Sequence, residues 1–258
     1  MSVLAGSPTD VPVQRFSARD GVSLAWREMG EGRPLLLIHG YVSNAFVNWI
    51  RYGHARHIAD AGFRVIMPDL RGHGDSDKPH DPACYKPDVL ADDAFDLVRH
   101  LGLTDYDLAG YSLGARTSVR MMAKGAKPRR AVLSGMGLDG ILNTQGRGGY
   151  FRHVLTNIGS FERGSSEWLT EAFLKTTDGD PEALLLILDT FVDTSREELA
   201  AIDLPVLVVT GDDDDDNGSG EALAEALPHG RFERIPGNHM SAVTKPELGR
   251  AIASFLAS

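Results

Sequence analysis

Tyr106-Asp107-Leu108-Ala109-Gly110-Tyr111-Ser112-Leu113-Gly114-Ala115 changes character halfway along its length. Residues 106–109 read as a short buried strand. From Ser112 onward Val119, Met122, Ala123 and Ala126 recur at helical spacing. The junction between the two is Gly110-Tyr111-Ser112-Leu113-Gly114, a G-x-S-x-G pattern placed where a strand gives way to a helix. A sharp turn there lifts a serine hydroxyl above the end of a sheet, and glycines on both flanks remove side chains that would clash with the turn and the next strand. A helix starting directly after the serine aims free backbone N–H groups at any negative charge that develops nearby. In this context Ser112 reads as a nucleophile.

Working outward, the run Leu35-Leu36-Leu37-Ile38 is apolar without alternation, as expected of a strand buried on both faces in a parallel sheet. The same signature returns at 63–67, 131–133 and 206–209. Helical patterns separate these runs: Leu90, Ala94, Leu97, Val98 and Leu101 follow Asp88, a candidate N-cap. Near the end of the chain Thr244 and Glu247 have capping-box spacing ahead of Leu248, Ile252, Phe255 and Leu256. Alternation of strand and helix predicts an α/β fold, a mostly parallel sheet with helices on both faces. The segment 11–29, with Asp20-Gly21 at its centre, predicts a hairpin that adds antiparallel strands at one edge. From 138 to 201 the pattern is helical only, opening on Gly146, Gly148 and Gly149. Within it Asp180-Pro181 reads as an N-cap followed by a first-turn proline, and the helix that follows, over 183–192, is apolar almost all round. A helix with two apolar neighbours suits a cap packed over a sheet. The expected organisation is a core of 1–137 and 202–258 and an inserted helical cap of 138–201.

A serine hydroxyl needs a base. His239, in Gly237-Asn238-His239, lies between a strand candidate at 231–235 and the last helix, at the end of the sheet where open α/β proteins keep their active sites. The base in turn needs a carboxylate to orient it. The strand at 206–209 runs into Thr210-Gly211 and then five acids, Asp212 to Asp216, giving the chain order Ser, Asp, His. Like charges repel, so most of the five are expected in water, and position alone leaves the partner of His239 open. The run lacks an EF-hand pattern. His54 and His57 share a helical spacing without a third ligand and are expected on the surface, so no metal site is expected.

The formal net charge of −10 argues against nucleic acid and anionic membrane surfaces as partners. A lone cysteine, Cys84, excludes an internal disulfide and suits a reducing compartment. Residues 1–10 carry no secretory pattern, and no apolar run approaches the roughly 20 residues of a membrane span. A soluble, cytoplasmic protein is expected. Without a phosphate-binding loop or dinucleotide fingerprint, no cofactor is expected.

Over nearly its whole length the chain resembles the α/β-hydrolase superfamily. Besides the elbow at Ser112, His39-Gly40-Tyr41 after a buried strand resembles the family's oxyanion loop. Asp69-Leu70-Arg71-Gly72-His73-Gly74-Asp75-Ser76 resembles its D-x-R-G-x-G-x-S segment. The resemblance implies an α/β-hydrolase fold with an eight-stranded, mostly parallel sheet and a helical cap. It assigns the oxyanion N–H groups to Tyr41 and Leu113 and the triad acid to Asp214, with Asp213 and Asp216 next in line. His39 and the segment 69–76 become architectural.

The implied activity is hydrolysis of a small carboxylic ester or lactone through an acyl-enzyme on Ser112. Trp168, Phe173, the run 184–188 and Phe191 are candidates to shape a pocket for an apolar acyl part under the cap. The same triad serves carbon–carbon bond hydrolases, perhydrolases or cofactor-free haloperoxidases, and slowly turning over receptors. Haloalkane dehalogenases and epoxide hydrolases resemble this fold but carry Asp where Ser112 stands. Oligomeric state is not legible in the sequence.

Overall fold

The computed structural model describes residues 11–258, so the reading of residues 1–10 falls outside the described residues. Among the described residues one sheet contains eight strands: β1 (Gln14–Ser17), β2 (Ser23–Met29), β3 (Arg33–Ile38), β4 (Phe63–Pro68), β5 (Asp107–Tyr111), β6 (Ala131–Ser134), β7 (Val206–Gly211) and β8 (Gly230–Ile235). Their spatial order is β1-β2-β4-β3-β5-β6-β7-β8. The hairpin around Asp20-Gly21 supplies the antiparallel β1 and β2, and every pairing from β4 to β8 is parallel.

The unalternating runs have a direct cause. Along β3, Leu36 and Ile38 enter one hydrophobic core while Leu35 and Leu37 enter the other, and all four are fully buried. On β6 and β7 the same division sends Ala131, Leu133, Val206 and Val208 to the first core and Val132, Leu207 and Val209 to the second. A strand with period-two geometry and apolar layers on both sides has no polar face to show.

Helix α1 (His54–Asp60) packs its Ala55 and Ile58 in the second core. Helices α2 (Val89–His100) and α3 (Leu113–Ala123) contribute Leu90, Leu97 and Val119 to the first. Between β6 and β7 lie five helices: α4 (Leu138–Leu142), α5 (Gln145–Thr156), α6 (Ser166–Thr176), α7 (Pro181–Leu188) and α8 (Arg196–Ala200). The chain then adds α9 (Gly220–Glu225), α10 (His239–Ala242) and α11 (Pro246–Ala257), the last filling the second core with Leu248, Ile252 and Phe255.

Helix α7 explains its own composition. The Asp180 carboxylate accepts from the Glu182 and Ala183 N–H groups at 3.0 and 3.1 Å, with Pro181 in the first turn. Ala183 and Ile187 face the sheet-side core, while Leu184 and Leu188 join Val42, Leu155 and Leu174 in a third cluster. The helix stops at Leu188, earlier than the apolar run through 192 predicted.

Three local readings are corrected. Asp88 occupies the N-cap position of α2 with a positive φ of 62°, but its carboxylate caps nothing and instead holds the Arg120 guanidinium at 2.7 and 2.9 Å. The spacing of Thr244 and Glu247 does not make a capping box, because α11 begins at Pro246 and the Thr244 hydroxyl donates to Ser241 O. His54, expected on the surface, is only 1% exposed, with Nε2 2.7 Å from Val243 O, so it ties α1 to the end of α10. No helix among the described residues is long and apolar enough to cross a membrane.

Candidate active site

The loops that leave the C-terminal ends of β3, β5, β7 and β8 meet above one end of the sheet. After β5 the chain turns through Ser112 at φ 53° and ψ −112°, a strained conformation for a residue with a side chain, and α3 starts at the next residue. The Ser112 N–H donates to Ser134 O at 2.8 Å, locking the turn to β6. The flanking glycines are steric necessities. A Cβ on Gly110 would sit 2.2 Å from the Gly114 carbonyl carbon, and one on Gly114 would sit 2.1 Å from Ile38 O.

His239 is the first residue of α10, where Asn238 and Ser241 form a reciprocal capping box. Its Nε2 lies 3.0 Å from Ser112 Oγ, and its Nδ1 lies 3.0 and 3.1 Å from the two carboxylate oxygens of Asp214. The Tyr111 hydroxyl donates to His239 O at 2.6 Å and fixes the backbone beneath the ring. Burial and the nearby Asp214 charge push that phenol well above its ordinary pKa, so it stays a donor.

Of the five consecutive acids, Asp212, Asp213, Asp215 and Asp216 are exposed and only Asp214 is buried. The Asp212 and Asp213 N–H groups donate to Ile235 O and Gly237 O, which ties the start of the loop to the end of β8 and turns the Asp214 side chain inward. Asp216 points its carboxylate at Arg147 of α5, 2.9 Å away. Asp214, Asp216 and His239 are the group of three side chains, among the described residues, near enough to share an ion. The His239 hydrogen bond and the Arg147 ion pair already provide partners for both carboxylates.

Tyr41 follows the segment in which the Gly40 N–H donates to Asn48 Oδ1 at 2.9 Å, and Leu113 is the first residue of α3 and has no acceptor within its own helix. His39 Nε2 accepts the Leu70 N–H at 3.0 Å while Nδ1 lies 2.7 Å from Gly40 O, so the ring is neutral with its proton on Nδ1. Burial lowers its pKa to about 4. Asp69 accepts from the Ala45 and Asp75 N–H groups and pairs with Arg27, and Ser76 Oγ donates to Asp69 O. These contacts hold the loop that carries Gly40 and Tyr41 in place.

Ser112 and His239 open onto a cavity of about 650 Å³, walled by Tyr41, Phe151, Phe173 and Met240 among others. A much narrower recess, about 20 Å³, runs from Ser112 to Phe191, Arg116 and Asn217. Of the pocket candidates from the sequence, Phe173 lines the cavity and Phe191 the recess, while Leu184 and Leu188 are buried in the third cluster. Sequence reasoning missed Arg147, Tyr150 and Phe151. Their i, i+3 and i+4 spacing on one face of α5 was the available signal, hidden by the glycines between them.

A family model described as the alpha/beta hydrolase fold matches residues 33–147. The chain is 28% identical to a non-heme chloroperoxidase of Kitasatospora aureofaciens, over 93% of this chain and 98% of that one. Among solved structures, an esterase from Thermogutta terrifontis superposes with a TM-score of 0.75 at 24% identity, covering 95% of this chain and 98% of that one. The enol-lactonase of Burkholderia xenovorans does so with a TM-score of 0.72 at 22% identity, covering 95% and 100%. With the strand order, the strained serine turn and the position of His239 between β8 and α11, these likenesses define an enzyme fold of the hydrolase type. The chain has the α/β-hydrolase fold.

Proposed function

We propose that the protein is a cytoplasmic serine hydrolase that cleaves a small carboxylic ester or lactone through an acyl-enzyme on Ser112. The observation that carries this reading is the hydrogen-bonded chain Ser112–His239–Asp214 opening onto a largely apolar cavity. His239 Nε2 takes the hydroxyl proton as Ser112 Oγ attacks the carbonyl carbon. Asp214 stabilises the imidazolium that forms. The carbonyl oxygen, now anionic, accepts from the Tyr41 and Leu113 N–H groups. Collapse expels the alcohol, which leaves with the proton from His239. Water, deprotonated by the same imidazole, then cleaves the acyl-serine. The cavity volume suits a small-molecule substrate, and its aromatic walls suit an apolar substrate part.

The test uses p-nitrophenyl esters of graded acyl length and a few lactones with the wild type and Ser112→Ala. Multiple turnovers that vanish in the variant are expected, with a chain-length optimum set by the cavity. An equally active variant overturns the assignment, and binding without turnover supports a receptor instead. The full-length similarity to a chloroperoxidase favours one second reading. Hydrogen peroxide in place of water would take the acyl group as a peracid, which oxidises halide. Ser112-dependent bromination in acetate with peroxide would reveal it.

A further inference from the structure

The buried and half-buried arginines of this protein mostly hold carboxylates. Arg71 is bonded to Asp20 and Asp93, Arg120 to Asp88 and Glu198, Arg27 to Asp69 and Asp75, and Arg33 to Asp107. Among the buried arginines Arg116, one turn into α3 after the nucleophile, is the exception. It is 8% exposed, yet it forms no salt bridge among the described residues. Its Nε–H donates to Gly140 O at 3.1 Å and its carbon centre lies 4.7 Å from the Phe191 ring centroid. The four N–H groups on its terminal nitrogens have no protein acceptor among the described residues. The terminal nitrogens are not sealed from solvent, and Arg116 lines both the narrow recess that leads to Ser112 and a second small recess beside Asp88 and Arg120. Burial lowers its pKa to about 10, which leaves it charged at neutral pH.

A buried guanidinium with one carbonyl and a ring face as its partners is expensive to keep. Of the nearby acids, Asp88 is held by Arg120 and Asp216 by Arg147, while Asp193 accepts the Thr144 N–H and acts on Arg116 only through space, without a salt bridge. The recess also has a direction. Its walls include Tyr41, Ser112 and Leu113 but not His239, which borders only the larger cavity. The leaving alcohol must take its proton from His239 and so departs on the cavity side, which puts the acyl part on the side of the recess.

We propose that Arg116 binds a carboxylate on the acyl part of the substrate, so that half-esters of short dicarboxylic acids, or lactones carrying a free carboxylate, are the preferred class. This rests on the serine-hydrolase reading of the same site. A guanidinium presents paired N–H donors that match the two oxygens of a carboxylate.

The test compares monoethyl succinate, glutarate and adipate, each against its neutral half-amide, in the wild type, Arg116→Met and Arg116→Lys. For at least one chain length the wild type is expected to favour the half-ester by about 10-fold or more in kcat/KM. That preference falls to about one in Arg116→Met and is partly kept in Arg116→Lys. A wild-type ratio of one or less at every chain length overturns the proposal, as does a ratio unchanged in Arg116→Met. Absence of Ser112-dependent hydrolysis of half-esters and half-amides alike sinks the hydrolase reading itself. A measurement on the wild type alone guards against a misfolded variant. At matched ionic strength the succinate, glutarate or adipate dianion should inhibit p-nitrophenyl butyrate hydrolysis competitively, and the corresponding diamide should not. Equal inhibition by both refutes recognition of the carboxylate.

Discussion

Replacing Asp214 by Asn tests the reading of the site with little change in packing. The wild-type carboxylate accepts from His239 Nδ1 with both oxygens, at 3.0 and 3.1 Å, in a position 7% exposed. An amide of the same shape can do one of two things. Its oxygen can accept the Nδ1–H, which keeps the tautomer but loses the negative charge opposite the imidazolium. At about 4 Å between charge centres and an effective dielectric of about 20, that loss is about 4 kcal/mol. Alternatively its NH₂ donates to Nδ1, which moves the proton to Nε2 and leaves no lone pair to take the Ser112 proton. The first effect alone is about a thousandfold in rate, and the second extends it toward ten-thousandfold. Asp216→Asn is the control. Asp216 is exposed and bound to Arg147, and an ion pair of that kind contributes about 1 kcal/mol or less, so its kcat/KM should stay within about fivefold of wild type. Steady-state kinetics on p-nitrophenyl butyrate, with thermal unfolding to confirm folding, decides between them. Asp214→Asn within tenfold of wild type would refute the reasoning, and a large loss in Asp216→Asn instead would move the acid two residues along the loop.

Acid should unfold the protein through His39 and His73, whose pKa values burial lowers to about 4 and about 3. Both are neutral in the folded state, so their contribution is complete above about pH 6.5 and is lost as pH falls through 4 toward 3, at about 3 kcal/mol for each by pH 4. Asp93, raised to about 6 by burial, works in the opposite sense and offsets part of this. Urea midpoints between pH 7 and 4 should fall in the wild type and fall less in a His73→Gln variant; parallel slopes would contradict it. Gly114→Ala should lower kcat at least 100-fold with modest change in KM, because the new Cβ must push α3 away from Ile38 O and carry the Leu113 N–H with it; unchanged kinetics would sink that account. Tyr111→Phe removes the hydrogen bond to His239 O and should cost about 1 kcal/mol of stability, read as a lower urea midpoint, and an unchanged midpoint would show the bond to be dispensable.

The central strands and the turn at Ser112 were readable because their causes are local. A strand buried on both faces has no choice but a continuous apolar run, and the turn at Ser112 cannot be built without Gly110 and Gly114. The position of Asp214 within its run was less accessible. What separates it from its neighbours is the tie between the loop and the end of β8, a contact between distant parts of the chain. Asp88 was misread for a related reason, since a carboxylate in front of a helix caps it only if no cation lies closer, and Arg120 is 32 positions away. His54 looked exposed because its helix face is covered by α11 and the end of α10, again remote in sequence. Arg116 sits in a helix whose spacing says only that it faces inward; that no carboxylate meets it there is a property of the assembled fold.

The side chain of Tyr41 carries a consequence for how freely this protein can be re-engineered. Its backbone belongs to the proposed oxyanion loop, while its hydroxyl donates to Leu184 O in α7 at 2.7 Å and its ring contacts Phe151 and Phe191. One residue further, Val42 O accepts the hydroxyl of Thr177. The helices between β6 and β7 are therefore fastened to the 39–42 loop at the residue whose N–H the proposed mechanism uses. Exchanging the lid for one from another hydrolase, a common route to new specificity, would transplant the walls and cut this rivet together. A graft that keeps a carbonyl acceptor where Leu184 O now stands should retain turnover, and one that does not should lose rate even on substrates that never touch the new walls.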